Sequence, residues 1–184
     1  MKKRPAVFLD RDGTLIHTRP GWYLRSPEQV RLYAGAAQAL RLLRRAGYRL
    51  VIVSNQSGLA RGLLDAKTLS RIHRRMLREF RSRGAALDGI YFCPHHPDDR
   101  CRCRKPSTLL ARRAMRELGL TLAGSAVVGD KKADVDLGRA LGVTSVLVTT
   151  GEGRSQIKRW GARLRPTHVA PSLLRAARYI LCRS

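Results

Sequence analysis

The chain has 184 residues, 43% apolar and 27% charged, a length and composition that suit one globular domain over 1–184 and exclude wholesale disorder or a small disulfide-stapled scaffold. No apolar run reaches the roughly 18 residues a membrane-spanning helix needs, so no membrane partner is expected and a cytoplasmic protein is. Thirty-seven Lys and Arg against 13 Asp and Glu give a net charge of +24. The cations are spread along the whole chain, without a block, a tail or interleaved aromatic residues, which reads as a solvated Arg-rich surface that favours anionic ligands. Nucleic acid is not the expected partner, although the charge leaves it open.

Taken in chain order, the short apolar run 5–9 predicts a buried strand that ends at Asp10. The spacing over 34–46 predicts a helix closed by Gly47, and 49–53 a second strand that ends at Ser54. Asp65 is placed to N-cap a helix running to about Ser82, with Gly84 beyond it. A strand is expected at 89–92, a helix capped by Ser107 through Leu118 and stopped by Gly119, and a strand at 125–129 that ends at Asp130. Strands at 145–148 and around 168–170 precede a last helix from Ser172. This alternation is that of a doubly wound, parallel α/β sheet, whose ligands bind outside the carboxyl ends of the strands. Asp10, Asp12, Ser54 and Asp130 would converge there.

The acids carry more information than the cations. Seven of the 13, Asp10, Asp12, Asp98, Asp99, Asp130, Asp134 and Asp136, fall in three short segments. Asp10 and Asp12, at i and i+2 on a strand end, share a face, and Gly13 permits the turn that follows. Two close carboxylates need a cation between them; with Asp130 as a third hard oxygen ligand, Mg²⁺ fits. One Asp can then attack phosphorus while the other protonates the leaving alkoxide and later activates water, with the metal and Lys105 offsetting phosphoryl charge. A DxD alone is also compatible with an Asx-turn or a cap.

Four polar stations in order, DRDGT, SNQSG from Ser54, Lys105-Pro106 and Gly129-Asp130, resemble the haloacid dehalogenase superfamily of phosphatases. The resemblance implies that Asp10 is the nucleophile and Asp12 the general acid and base, that Ser54 and Lys105 hold the phosphoryl group, and that Asp130 completes the Mg²⁺ site with Asp10 and the backbone carbonyl of Asp12. Asp134 is placed either in contact with this network or in the turn of the helix. The 41 residues between Asp12 and Ser54 and the 50 between Ser54 and Lys105 are filled by predicted core elements. No separate cap domain is expected, and the site should be open.

Cys93, His95, Cys101 and Cys103, with His96 as the alternative imidazole, form a C-x-H-x5-C-x-C arrangement in a turn-rich loop. Three thiolates and one imidazole match a closed, structural Zn²⁺ site; free thiols in a loop are the other reading. Cys182 is expected in a helix or the core. His17, His73 and His168 have no partner visible in the sequence.

The strings FLDRDGT, SNQSGLARG, CPHHPDDRCRCRKP and VGDK, in this order over residues 5 to about 150, are similar to those of the D-glycero-D-manno-heptose-1,7-bisphosphate 7-phosphatases and of their relatives, the histidinol-phosphate phosphatases. The resemblance favours His95 as the zinc ligand. It implies removal of a terminal phosphate from a small phosphorylated sugar in making the heptose of bacterial lipopolysaccharide or surface glycans, with Arg104 and Lys131 gripping the substrate beside Asn55 and Gln56, in a monomer. Two departures bear on substrate selection. The family's Pro-Gly pair is replaced after Pro106 by Ser107-Thr108-Leu109, and the segment His17-Thr18-Arg19-Pro20-Gly21-Trp22 lacks the usual Asn and acidic residue. The competing expectations are a histidinol-phosphate phosphatase, a nucleic-acid 3′-phosphatase, and a zinc-knuckle nucleic-acid-binding module on an inactive scaffold.

Overall fold

The computed structural model describes residues 3–19 and 21–183; Pro20 of the loop noted above lies outside them. Six parallel strands, β1 (Arg4–Leu9), β2 (Arg49–Asn55), β3 (Gly89–Cys93), β4 (Leu120–Gly129), β5 (Thr144–Val148) and β6 (His168–Ala170), form one sheet in the order β3-β2-β1-β4-β5-β6. The intervening helices are α1 (Ala36–Arg45), α2 (Ala66–Arg81), α3 (Leu109–Leu118), α4 (Lys132–Leu141), α5 (Gly153–Trp160) and α6 (Leu173–Leu181). The expected parallel α/β class is the one observed. Among the described residues no helix is long and apolar enough to cross a membrane.

The central strand shows why the sheet is covered on both faces. Val7 and Leu9 point into a core shared with α1, α2 and α6, while Ala6 and Phe8 pack with Leu110, Ala111 and Ala114 of α3 and Leu137 of α4. Every residue from Ala6 to Leu9 is therefore apolar, and the run reads as continuous rather than alternating. After β1 the chain builds β2 and β3 on one side, then crosses back to place β4 on the other. The strand order reverses between β1 and β4, and the loops leaving those strands part there into a cleft.

Several boundaries differ from the sequence expectation. Helix α1 begins at Ala36 rather than at 34, because Gly35 takes a left-handed φ of 75° that a helix cannot include. Helix α3 begins at Leu109 with Thr108 as its N-cap. The Ser107 hydroxyl accepts from the Leu109 N–H at 3.3 Å and itself donates to the Arg102 carbonyl, so it braces the preceding loop rather than capping the helix. Strand β4 starts at Leu120, five residues early; its first part pairs Leu120 and Thr121 with Arg4 and Pro5 before a register shift, and the left-handed Gly124 masks that half in the sequence.

Two helices were not singled out by pattern. Helix α4 contains Gly138, whose absent side chain is required because a Cβ would lie 2.6 Å from Cβ of Ser145. Helix α5 buries only Gly153 and so carries no apolar stripe. Cys182 is exposed at the end of α6 rather than in the core.

Candidate active site and metal centre

The strand ends deliver the expected carboxylates to one point. Asp10 follows β1 and Asp130 follows β4, while Asp134 reaches back from the first turn of α4; one oxygen of each lies within 4.8 Å of the others, and all three are buried. Glycines make the room. A Cβ on Gly13 would sit 2.1 Å from Asp130 Oδ2, and one on Gly129 2.1 Å from the Asp134 carboxyl carbon. Lys105 Nζ donates to Asp10 Oδ1 at 2.7 Å, to Asp134 Oδ1 at 2.6 Å and to the Val53 carbonyl at 2.7 Å, which uses all three of its protons.

Three buried carboxylates thus face one fully buried ammonium, and the imbalance shows in their titration. Burial works to raise Asp10, but Lys105 outweighs it and holds the carboxyl below its ordinary range. Asp130, farther from that cation, is pushed well up by burial and then by Asp10 and Asp134. Burial likewise raises Asp134 to about 6 against the pull of Lys105. Asp130 Oδ2 accepts from the Glu152 N–H at 2.7 Å, whereas its Oδ1 is buried without a hydrogen-bond partner among the described residues. A buried orphan oxygen beside two further carboxylates is the donor set of a hard divalent cation, so these residues fit Mg²⁺. Asp134 belongs to this trio, and the side chain of Asp12 does not.

Asp12 stands at the cleft side of the same loop. Arg11 Nε donates to its Oδ2 at 3.1 Å and Arg11 Nη2 to its Oδ1 at 3.0 Å, while Gln56 Nε2 donates to Oδ2 at 2.7 Å and to Ser54 Oγ at 2.8 Å. The amide of Gln56 therefore joins Asp12 to Ser54 instead of pointing freely into the cleft. Asn55 clamps the backbone of Lys105, accepting from its N–H at 2.9 Å and donating to its carbonyl at 3.2 Å. Asn55 and Gln56, expected on the substrate, both line the cleft, and their amides also engage neighbouring protein groups, since an amide largely removed from water needs partners for its donors and acceptors.

The cleft in front of these groups has a volume of about 340 Å³, and its lining includes the cations Arg104, Lys105 and Lys131 together with Trp22, Tyr23, Leu24 and Leu64. Arg104 Nη1 is buried with no hydrogen-bond partner among the described residues. Lys131 pairs with Glu152 at 2.9 Å; burial works against its charge, but that ion pair, Asp10 and Asp130 raise its pKa overall. The place of Glu152 and Tyr23 in the cleft and the pairing of Arg11 with His73 (Nη1 to Nε2, 3.0 Å) carry no signal in the linear sequence. His73 is thus not partnerless. Nor are His17 and His168, whose rings lie 3.8 Å from Tyr33 and 3.9 Å from Tyr179.

The sulfur cluster assembles from one loop. Cys93 ends β3 fully buried, and the following residues turn back through a short helical turn, Pro97–Asp99. Asp99 Oδ2 accepts from the His96 N–H at 2.7 Å and His96 Nδ1 from the Asp98 N–H at 3.4 Å, so the two acids and His96 build the bend. Cys101 and Cys103 then return to Cys93. The sulfurs lie 3.5 Å (Cys93 to Cys101) and 3.7 Å (Cys101 to Cys103) apart, and His95 Nδ1 is 3.6 Å from Cys93 and 3.2 Å from Cys103. A tetrahedron with Zn–S of about 2.3 Å and Zn–N of about 2.0–2.1 Å has edges of about 3.5–3.8 Å. Cys93, His95, Cys101 and Cys103 approach those edges, and Nδ1 of His95, not His96, is the nitrogen that faces the sulfurs. The four side chains fit Zn²⁺.

Comparison with known proteins agrees with this geometry. Residues 102–176 match the HAD-hydrolase-like family model. The D-glycero-beta-D-manno-heptose-1,7-bisphosphate 7-phosphatase of Bordetella bronchiseptica is 39% identical over 155 residues, covering 84% of this chain and 86% of that protein. The enzyme of the same name from Yersinia pestis is 40% identical over 156 residues, covering 80% and 82%. The crystal structure of the D,D-heptose 1,7-bisphosphate phosphatase from B. bronchiseptica, complexed with magnesium and phosphate, superposes with a TM-score of 0.89 at 36% identity, over 98% of this chain and 99% of that one. With identity at this level across most of both chains, this protein belongs to the family of D-glycero-β-D-manno-heptose-1,7-bisphosphate 7-phosphatases, within the haloacid dehalogenase superfamily.

Proposed function

We propose that the chain removes the 7-phosphate of D-glycero-D-manno-heptose 1,7-bisphosphate through an aspartyl-phosphate on Asp10, in the supply of heptose for bacterial surface glycans. The observation that carries the proposal is the buried trio Asp10, Asp130 and Asp134 around Lys105, opening onto a cleft whose lining includes Arg104 and Lys131. Mg²⁺, held by Asp10, Asp130 and the backbone carbonyl of Asp12, with Asp134 beside it, would neutralise the excess carboxylate charge and polarise the phosphoryl group.

The protein groups then divide the work. Ser54, whose hydroxyl proton is free among the described residues, holds the transferring phosphoryl group, and Lys105 offsets its charge and keeps Asp10 ionised for attack. As the Asp10 oxygen bonds to phosphorus, the bond from phosphorus to the sugar oxygen breaks, and Asp12 gives its proton to that leaving alkoxide. Asp12 next takes a proton from water, whose oxygen attacks phosphorus and releases inorganic phosphate and free Asp10. Arg104, with an unpartnered buried Nη1, and Lys131 engage the second phosphate and the sugar, and that remote binding positions the reacting group. Asn55 and Gln56 support this site by holding Lys105, Asp12 and Ser54.

The proposal includes one domain over residues 1–184, acting as a monomer in the cytoplasm with Zn²⁺ on Cys93, His95, Cys101 and Cys103 as a structural brace for the loop that leads to Arg104 and Lys105. Three reduced cysteines at mutual ligand distance suit a reducing compartment. The test is the steady-state rate on heptose 1,7-bisphosphate, histidinol phosphate and a 3′-phosphorylated oligonucleotide, with the released position followed by phosphorus NMR. Loss of the 7-phosphate at a kcat/KM at least about tenfold above the others, equal to about 1.4 kcal/mol, is the expected result; a better rate on either alternative would remove the heptose assignment.

A further inference from the structure

Arg11 is a charged side chain with only 2% of its surface exposed, and its guanidinium is held on two sides. Toward the cleft it forms the two-toothed contact with Asp12; away from it, Nη1 meets Nε2 of His73 at 3.0 Å. A guanidinium can only donate, so Nε2 of His73 must present a lone pair and the ring proton must sit on Nδ1. The imidazole has a fixed place. It projects from α2, whose Leu69, Ile72 and Met76 are buried in the core, and it meets the ring of Phe92 on β3 edge-on at 5.6 Å.

The consequence falls on Asp12. A carboxylate offers about four lone-pair directions. Oδ2 accepts from Arg11 Nε and Gln56 Nε2 and lies 2.8 Å from Arg11 Nη2, which also donates to Oδ1 at 3.0 Å; among the described residues Oδ1 has no other donor. The remaining direction is on Oδ1. We infer that His73, acting through Arg11, is a positioning residue for Asp12 and that Oδ1 is the oxygen carrying the catalytic proton. The inference rests on the reading of Asp12 as general acid and base. Without the acceptor on His73, Nη1 becomes a buried donor with no partner; the guanidinium then turns toward another acceptor, and the carboxylate that it holds turns with it.

The experiment compares two leaving groups at pH 7 with Mg²⁺ present. A sugar alkoxide needs a proton as it departs, whereas the weakly basic p-nitrophenolate does not. His73→Leu should lower kcat/KM on heptose 1,7-bisphosphate, which reports the steps through departure of the sugar and not the later attack of water that both substrates share, by about tenfold, as small misplacements of catalytic groups do, while leaving kcat/KM on p-nitrophenyl phosphate within about twofold. His73→Gln, whose amide oxygen can accept from Arg11, should recover most of the sugar-phosphate rate. Equal losses on both substrates, no loss on either, or a Gln variant no better than Leu would overturn the inference. Should His73→Leu fail to fold, nitrogen NMR of the wild-type ring decides: an unprotonated Nε2 with protonated Nδ1 supports it, and a protonated Nε2 overturns it. Asp12→Asn is the control. If it spares sugar-phosphate turnover, the acid role of Asp12 itself is wrong and the inference goes with it; if it abolishes turnover while the His73 variants behave as wild type, only the inference fails.

Discussion

The carboxylate centre and the sulfur cluster are both suited to a metal, yet they are built in opposite ways. The sulfur cluster takes all four side chains from 93–103, a single loop bent by its own acids. The carboxylate centre draws on Asp10, Lys105, Asp130 and Asp134, from three separate segments of the chain, and exists only because β1 and β4 are neighbours in the sheet. One is a local device that braces a loop; the other is a property of the whole fold. Their electrostatics differ in the same sense. The oxygen centre concentrates buried charge that Lys105 balances only in part, whereas His95 of the sulfur cluster is exposed.

The comparison is sharpest at Asp10, the proposed nucleophile. Asp10→Asn should leave no measurable turnover with the fold intact by circular dichroism, since the amide is nearly isosteric but cannot attack phosphorus; Mg²⁺-dependent turnover by pure Asp10→Asn protein would remove it from that role. Asp12→Asn should cost roughly 10²- to 10⁴-fold in kcat on the sugar phosphate, the usual reach of general acid and base catalysis, while both variants keep their full complement of zinc by elemental analysis. Zinc loss in either would mean that the two regions are coupled more tightly than their geometry indicates.

Acid tests the buried side of the comparison. Burial and the charge of Arg11 lower His73 to about 3 from an ordinary 6.5. Between those values the unfolded chain binds a proton that the folded protein does not, so stability is complete above 6.5 and falls as the pH drops through that window. From pH 7 to pH 5 the contribution of His73 to this loss should be about 2 kcal/mol, a factor of about 30 in the folding equilibrium, opposed by Asp130 and Asp134, whose raised pKa values make the folded protein the better proton binder over the same range. His73→Gln removes the titration and should flatten this part of the melting profile; an unchanged slope would show that the acid sensitivity arises elsewhere.

The smallest effects belong to the loop and the cleft wall. Cys101→Ala should abolish zinc binding and lower activity by about tenfold, the low end for an outer support of a catalytic site, although no reacting group is touched. Full activity in zinc-free protein would sever the loop from Lys105. Arg104→Ala should reduce the preference for heptose bisphosphate over p-nitrophenyl phosphate several-fold, up to about tenfold, or about 1.4 kcal/mol. An unchanged ratio of kcat/KM values would take Arg104 out of substrate selection.

What was legible in the sequence follows the same division. The cluster of Cys93, His95, Cys101 and Cys103 could be read directly because its ligands are neighbours along the chain, and only the choice between His95 and His96 needed coordinates, which showed His96 occupied in bending the loop. The strand ends at Asp10, Ser54 and Asp130 were legible because a buried parallel strand is a continuous apolar run whose first polar residue marks the rim. Helix α4 was not, since Gly138 and its acids break the apolar pattern for the sake of close packing on Ser145 and a place for Asp134 at the site.

Local chemistry, then, was determined by the sequence alone: which residues could ligate, attack or donate, and which runs could be strands. Tertiary structure decided the partnerships. The amides of Asn55 and Gln56 serve Lys105, Asp12 and Ser54, Glu152 meets Lys131, and His73 reaches Arg11 across 62 residues of chain. Hydrophobic periodicity records which face of an element is buried, because burial of apolar area is additive along the chain. A hydrogen bond between distant polar groups leaves no such periodic trace, since it depends on the direction of two side chains that only the folded sheet brings within 3 Å.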